Sequence, residues 1–148
     1  MKTRETGQHR TILITGASSG IGRATALNAA AAGWQVIACG RSRERLAALE
    51  KESDNISTRA FDLTDRTACR EQLAGLGADV VLLNAGTCEY VDVDDWENDL
   101  FRRVFDANFF SAINCIEALL PDLERGSQLV FVDSLARLLP FTRSQAYG

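Results

Sequence analysis

TGASSGIG, residues 15–22, is the stretch that decides the fold. Gly16, Gly20 and Gly22 stand in a G-x-x-x-G-x-G spacing, a variant of the dinucleotide fingerprint with one wider gap. Before them runs TILIT, residues 11–15, a short β-branched stretch that reads as a fully buried strand. After them comes RATALNAAAAG, residues 23–33, which reads as a helix closed by Gly33. Glycines between a strand and a helix meet three demands together: a tight turn, a backbone close enough to touch a pyrophosphate, and a helix start whose free N–H groups face an anion. Ser18 and Ser19 add hydroxyl donors at the mouth of the loop, and Ile21 lies between the last two glycines.

The alternation continues outward. WQVIACG is a second strand and SRERLAALEKE a charged helix with Leu46 and Leu49 on its inner side. ISTRAFD is a third strand, followed by the helix TDRTACREQLAGLG; DVVLLNAG is a fourth strand. Residues 95–123 read as the longest helical region, as one helix or two, and QLVFVDS is a fifth strand. Strands this apolar, alternating with helices, predict an α/β fold: a doubly wound, Rossmann-like parallel sheet in the order 3-2-1-4-5, with right-handed crossovers and incomplete at the C-terminus. Residues 1–10 read as a polar arm and 11–148 as one dinucleotide-binding domain, with no repeat, low-complexity tract or linker.

The 148 residues, 46% hydrophobic and 24% charged, suit one compact core. A net charge of −4 without a basic stripe argues against nucleic acid and for a small ligand. No apolar run reaches the length of a membrane span, and the opening MKTRETGQHR has no signal-like apolar core, so a cytoplasmic location is expected. Cys39, Cys69, Cys88 and Cys115 match no metal or redox spacing and read as free, mostly buried thiols. The single histidine, His9, falls in the polar arm, which leaves no basis for a His-ligated metal or a histidine triad.

The end of the second strand bears on which dinucleotide binds. An Asp or Glu there favours the ribose 2′-hydroxyl of NAD, whereas an Arg favours the 2′-phosphate of NADP. Here Gly40 stands at the acidic position, Arg41 follows, and Arg43 is in reserve. A guanidinium grips a phosphate with two bonds where a carboxylate repels it, so NADP(H) is expected over NAD(H). The bland alternative is that Arg41 merely solvates a loop.

These features together resemble the short-chain dehydrogenases/reductases. TGASSGIG resembles the family's N-terminal motif. FDL, with Asp62 and Leu63, is similar to the end of its third strand beside the adenine ring. LNAG, with Asn84, Ala85 and Gly86, is similar to the motif after strand four, although Leu83 stands where the family often has a second asparagine. Asn108 in DANFFSAI matches the helix asparagine, and Ser134 and Tyr147, with twelve residues between them, match the catalytic serine and tyrosine. Singly, each has an ordinary reading as a turn, cap or loop residue; their joint order after the glycine loop is far more specific.

The resemblance implies hydride transfer between NADP(H) and a small carbonyl or alcohol substrate. Ser134 would donate a hydrogen bond to the oxygen that gains charge, Tyr147 would be the acid or base, and Asn108 would hold a water in the proton relay. In the family a lysine four residues after the tyrosine makes the phenol acidic; here the chain stops at Gly148. The expectation is therefore an N-terminal part of a longer enzyme, inactive alone; the alternative is a short nucleotide-binding or subunit-interaction module without catalysis. Two apolar stripes on the long helical region, one through Leu100, Val104, Ser111 and Cys115 and one through Phe101, Phe105, Phe109, Ala112 and Ile116, predict one face on the sheet and one for a homodimer or homotetramer; the alternative is core burial of both within one chain.

Overall fold

In a computed structural model of the chain, residues 10–139 and 141–147 are described; His9 and the expected arm before Arg10 lie outside them. Five strands, β1 (Thr11–Thr15), β2 (Gln35–Gly40), β3 (Ile56–Ala60), β4 (Val80–Leu83) and β5 (Gln128–Phe131), form one sheet. Its order is β3-β2-β1-β4-β5 and every pairing is parallel. The fold is the expected Rossmann-like one. Leu13 pairs with Ile37 on one side and Val81 on the other, so β1 is central.

Successive side chains on a strand point to opposite faces, and here both faces are apolar. Leu13, Cys39, Val81 and Leu83 pack against Cys69, Leu73, Cys115 and Leu119, which belong to α3 (Arg66–Leu73) and α5 (Ser111–Leu119). Ile12, Ile14, Val36 and Ala38 pack against Ala26, Ala30, Leu46 and Leu49 on the other face, from α1 (Gly20–Ala31) and α2 (Arg43–Glu50). Leu13, Ile14 and Val81 are wholly buried; burial of side chains this size stabilises the fold by about 1.5–3 kcal/mol each.

Gly33 closes α1 as its sequence suggests. At φ 84° it sits in the left-handed region, and Gly33 N and Trp34 N donate to the carbonyls of Ala30 and Ala29. This is the Schellman arrangement, in which glycine avoids the Cβ penalty.

The expected long helical region is one path in several pieces: α4 (Asn98–Phe105), a π-helical turn (Asp106–Phe110), α5, and a short 3₁₀ turn (Leu120–Asp122). Its first stripe is buried throughout, but it divides between two cores: Cys115 packs on the sheet, whereas Leu100 and Val104 pack against Val91 and Ala146. The second stripe divides. Ala112 and Ile116 pack on the core beside α3, whereas Phe105 and Phe109 stay exposed next to Phe110 and Ile113. The extra residue of the π turn shifts the helical phase, so the stripe does not run straight through it. Among the described residues, no helix is long and apolar enough to cross a membrane.

Candidate functional site at the C-terminal edge of the sheet

The site begins at the ends of β1 and β4, the two strands between which the chain order reverses. The Thr15 side chain is buried, and its hydroxyl oxygen accepts from the main-chain N–H groups of Asn84 and Ala85 at 2.9 and 3.0 Å. Asn84 Nδ2 returns a hydrogen bond to Thr15 O at 3.0 Å. The two strand ends are thereby latched, and the Asn84 amide lies directly behind the glycine loop.

That amide explains two of the three glycines. A Cβ on Gly22 would come within 2.5 Å of Gly16 O and 2.6 Å of Asn84 Nδ2; one on Gly16 would meet Ala85 Cα at 2.9 Å. Gly20 has open space around it, and its φ of 54° is the reason for glycine there. Ser19 caps α1 without a side-chain hydrogen bond, so the first N–H groups of a twelve-residue helix face outward unsatisfied.

A cavity of about 670 Å³ opens over this loop. Its wall contains Gly16, Ser18, Ser19, Gly20 and Ile21 from the loop, Arg41 after β2, Asp62 and Leu63 after β3, and Asn84, Ala85 and Gly86 after β4. Of the glycine-loop residues expected at the cofactor, Gly22 stands outside the wall; its part is to let the loop lie against Asn84. Sequence reasoning passed over Ser42, Arg45, Thr64, Thr87, Ala107 and Ser111, which also face the cavity. Asp62 is shaped by Thr64, whose N–H and hydroxyl both donate to Asp62 Oδ1, at 3.0 and 2.8 Å.

The corner beyond Gly40 carries positive charge. Arg41 and Arg45 both reach the cavity wall, and among the described residues neither forms an ion pair. Arg43, expected as the reserve cation, is not part of the wall. Two residues along a helix is a turn of roughly 200°, which carries Arg43 and Arg45 to opposite sides. The Ser42 hydroxyl accepts from Arg45 N and caps α2. A nucleotide phosphate fits the chemistry of this donor set: open helix N–H groups, serine hydroxyls and two unpaired guanidinium groups.

The opposite wall is set by the π turn. Asn108 Oδ1 accepts from Thr87 N at 2.6 Å and its Nδ2 donates to Thr87 O at 2.9 Å, so one side chain holds both main-chain groups of one residue. Ser111 Oγ donates to Ala107 O at 2.7 Å, a back-bond of the kind that bends helices. Cys39 is buried beneath the loop, and burial pushes its thiol up to about 12.

Ser134 and Tyr147 lie apart from the cavity wall. Ser134 follows β5, and its oxygen accepts from Ala136 N at 3.2 Å, leaving the hydroxyl proton unused. Tyr147 N donates to Ser144 O, and the side chain is partly exposed. Among the described residues no hydrogen bond joins Asn108, Ser134 and Tyr147 to one another. The Arg143 guanidinium donates to Val91 O and Asp92 Oδ2.

The sequence profile described as short chain dehydrogenase matches residues 10–148. A serine 3-dehydrogenase of Rhizobium radiobacter is 37% identical over 151 residues, which cover 93% of this chain and 59% of that enzyme. An NADP-dependent 3-hydroxy acid dehydrogenase of Salmonella typhi is 33% identical, with the same coverage of 93% and 59%. Among solved structures, the closed form of a serine dehydrogenase complexed with NADP+ has a TM-score of 0.86 at 28% identity, covering 93% of this chain and 59% of that one. The chain thus spans about 59% of the length of these curated relatives.

Proposed function

The chain belongs to the short-chain dehydrogenases/reductases, and from that membership we propose an NADP(H)-dependent oxidoreductase that interconverts a small hydroxy compound and its carbonyl form. The observation that carries the cofactor choice is the corner where Gly40 offers no carboxylate and Arg41 and Arg45 stand unpaired. A 2′-phosphate would meet two guanidinium groups there. The named relatives act on serine and 3-hydroxy acids, which makes 3-hydroxy acids the first substrate class to try.

When bound, the nicotinamide supplies or takes the hydride. The chain's own residues handle the oxygen. Ser134, whose proton is not used elsewhere, donates to the carbonyl oxygen as charge grows on it. Tyr147 gives that oxygen its proton in reduction and takes it back in oxidation. Asn108 spends one amide proton and one lone pair on Thr87 and keeps the others for a water between the helix and the tyrosine. The glycine loop and the start of α1 hold the pyrophosphate, while Asp62 and Leu63 border the adenine end.

The exposed Phe105, Phe109, Phe110 and Ile113 support a homodimer or homotetramer contact on the outer side of α4, the π turn and α5. Four free cysteines suit a reducing compartment, which supports a cytoplasmic location.

The test is a fluorescence titration with NADPH and NADH, on the chain and on a polypeptide carrying the rest of the family's length. NADPH should bind more tightly by about tenfold or more, and Arg41→Asp should abolish that preference. Equal affinity for the two cofactors would show that Arg41 solvates a loop. Turnover of 3-hydroxy acids by the longer polypeptide, lost in Tyr147→Phe, is expected; unchanged turnover in that variant removes the assigned role of Tyr147.

A further inference from the structure

We infer that Arg143 is a positioning residue that fixes where Tyr147 sits relative to Asn108, an inference that rests on the proposed role of Tyr147. Among the described residues Arg143 is the only non-glycine with a left-handed backbone, at φ 66°. An L-residue adopts that conformation at a cost, so it persists where surrounding contacts impose it.

The contacts are specific. Val91 N donates to Arg143 O at 2.6 Å, and Arg143 Nε donates to Val91 O at 2.8 Å. One residue thus takes up both main-chain groups of Val91, using its own carbonyl for one and its guanidinium for the other. The second arm of the guanidinium reaches Asp92 Oδ2 at 3.4 Å. Val91 is itself immobilised, 1% exposed in a cluster with Leu100, Val104 and Ala146.

From this bracket the chain turns back tightly to the tyrosine. Ser144 is buried, its hydroxyl donates to Phe141 O at 3.0 Å, and its carbonyl accepts from Tyr147 N at 2.9 Å. Ala146 is seated in the Val91 cluster, so the residue before the tyrosine is pinned on α4. Asn108 holds Thr87 by both of its main-chain groups in the same manner, four residues before Val91. The segment 87–91 is therefore gripped at one end by Asn108 and at the other by Arg143, and it acts as a fixed spacer between the two proposed relay groups. An Arg143 that only stabilised the fold would not need to engage this segment rather than another.

Four variants of the longer polypeptide decide it: Arg143→Lys, Arg143→Ala, Arg143→Gly and Tyr147→Phe. Arg143→Ala should lower kcat by about tenfold or more, as expected for a displaced catalytic group, while the NADPH Kd stays unchanged. Arg143→Lys should recover part of kcat, because an ammonium can still donate to Val91 O. Arg143→Gly suits the left-handed backbone, so it reports on the loss of the guanidinium in a chain free of strain, and it replaces the alanine variant if that one does not fold; its kcat should fall to the same extent. Normal kcat in Arg143→Gly, beside an inactive Tyr147→Phe, overturns the inference and leaves the role of Tyr147 standing. Loss of NADPH affinity in step with kcat also overturns it, since the residue would then be structural. Full activity of Tyr147→Phe instead shows that the underlying reading failed.

Discussion

At the residue scale the three glycines of the loop are required for different reasons, and substitution separates them. Gly22 faces Gly16 O and the Asn84 amide, and neither yields easily: one is backbone and the other is hydrogen-bonded to Thr15 O. Gly20 faces open space and needs only its positive φ. Gly22→Ala should therefore cost about 1–3 kcal/mol as overpacking and displace the loop, whereas Gly20→Ala should cost about 1–2 kcal/mol of backbone strain without a clash. Thermal unfolding and NADPH titration of both variants check this. Nucleotide affinity should fall further in Gly22→Ala, and the reverse order would mean that the Asn84 amide moves aside. The glycine spacing was legible in sequence because it is a pattern of absent side chains. The amide that makes two of those absences necessary comes from 62 or more positions away in the chain, and no local reading reaches it.

Secondary-structure elements were legible where one period dominates. Every strand coincides with an apolar run, β1 at both ends and the others with ends differing by at most three residues. The π turn was not, since it depends on Ser111 back-bonding to Ala107 and on Asn108 reaching Thr87, which are tertiary facts in a helical sequence. The same holds for Arg45: its place in the cavity wall follows from the phase of α2, which is set by the Ser42 cap. Between elements, α3 is tied to α5 by Glu117, which accepts from Arg66 Nε at 2.7 Å and Arg70 Nη2 at 2.8 Å. The hydrogen bonds from Arg66 and then Arg70 hold the Glu117 carboxyl down to about 2, below its ordinary 4.5. A carboxyl lowered in the folded state stabilises the fold above its unfolded value and loses that contribution as pH falls through the folded one. Glu117→Gln should therefore remove a small, salt-sensitive part of stability at neutral pH and flatten the acid limb between pH 4.5 and about 2. Urea unfolding across that window checks it; parallel acid limbs for the two proteins would show that the bridge contributes nothing.

On the scale of the whole molecule, the sheet loses its cover on both faces at β5. The strands from β3 to β4 are covered by helices, but all four residues of β5 are exposed, and Leu129, Val130 and Phe131 are apolar. Val132, Leu135, Leu138, Leu139 and Phe141 extend that surface along the segment leading to the tyrosine. An apolar edge strand with unpaired main-chain groups is a template for a further strand from any chain that can supply one. The polypeptide Met1–Gly148 in isolation should therefore self-associate through this edge, bind a dye for exposed apolar surface, and do so with little dependence on salt. Val130→Lys places a charge on the edge, the usual means of blocking strand addition, and should return the polypeptide toward a monomer with β1 to β4 and the nucleotide cavity intact. Light scattering on both forms, with NADPH binding as the control for folding, makes the comparison. If Met1–Gly148 is a monodisperse monomer without dye binding, the edge is not adhesive. If Val130→Lys remains associated to the same degree, the contact lies elsewhere, and the exposed phenylalanines of α4 and the π turn are the surface to substitute next.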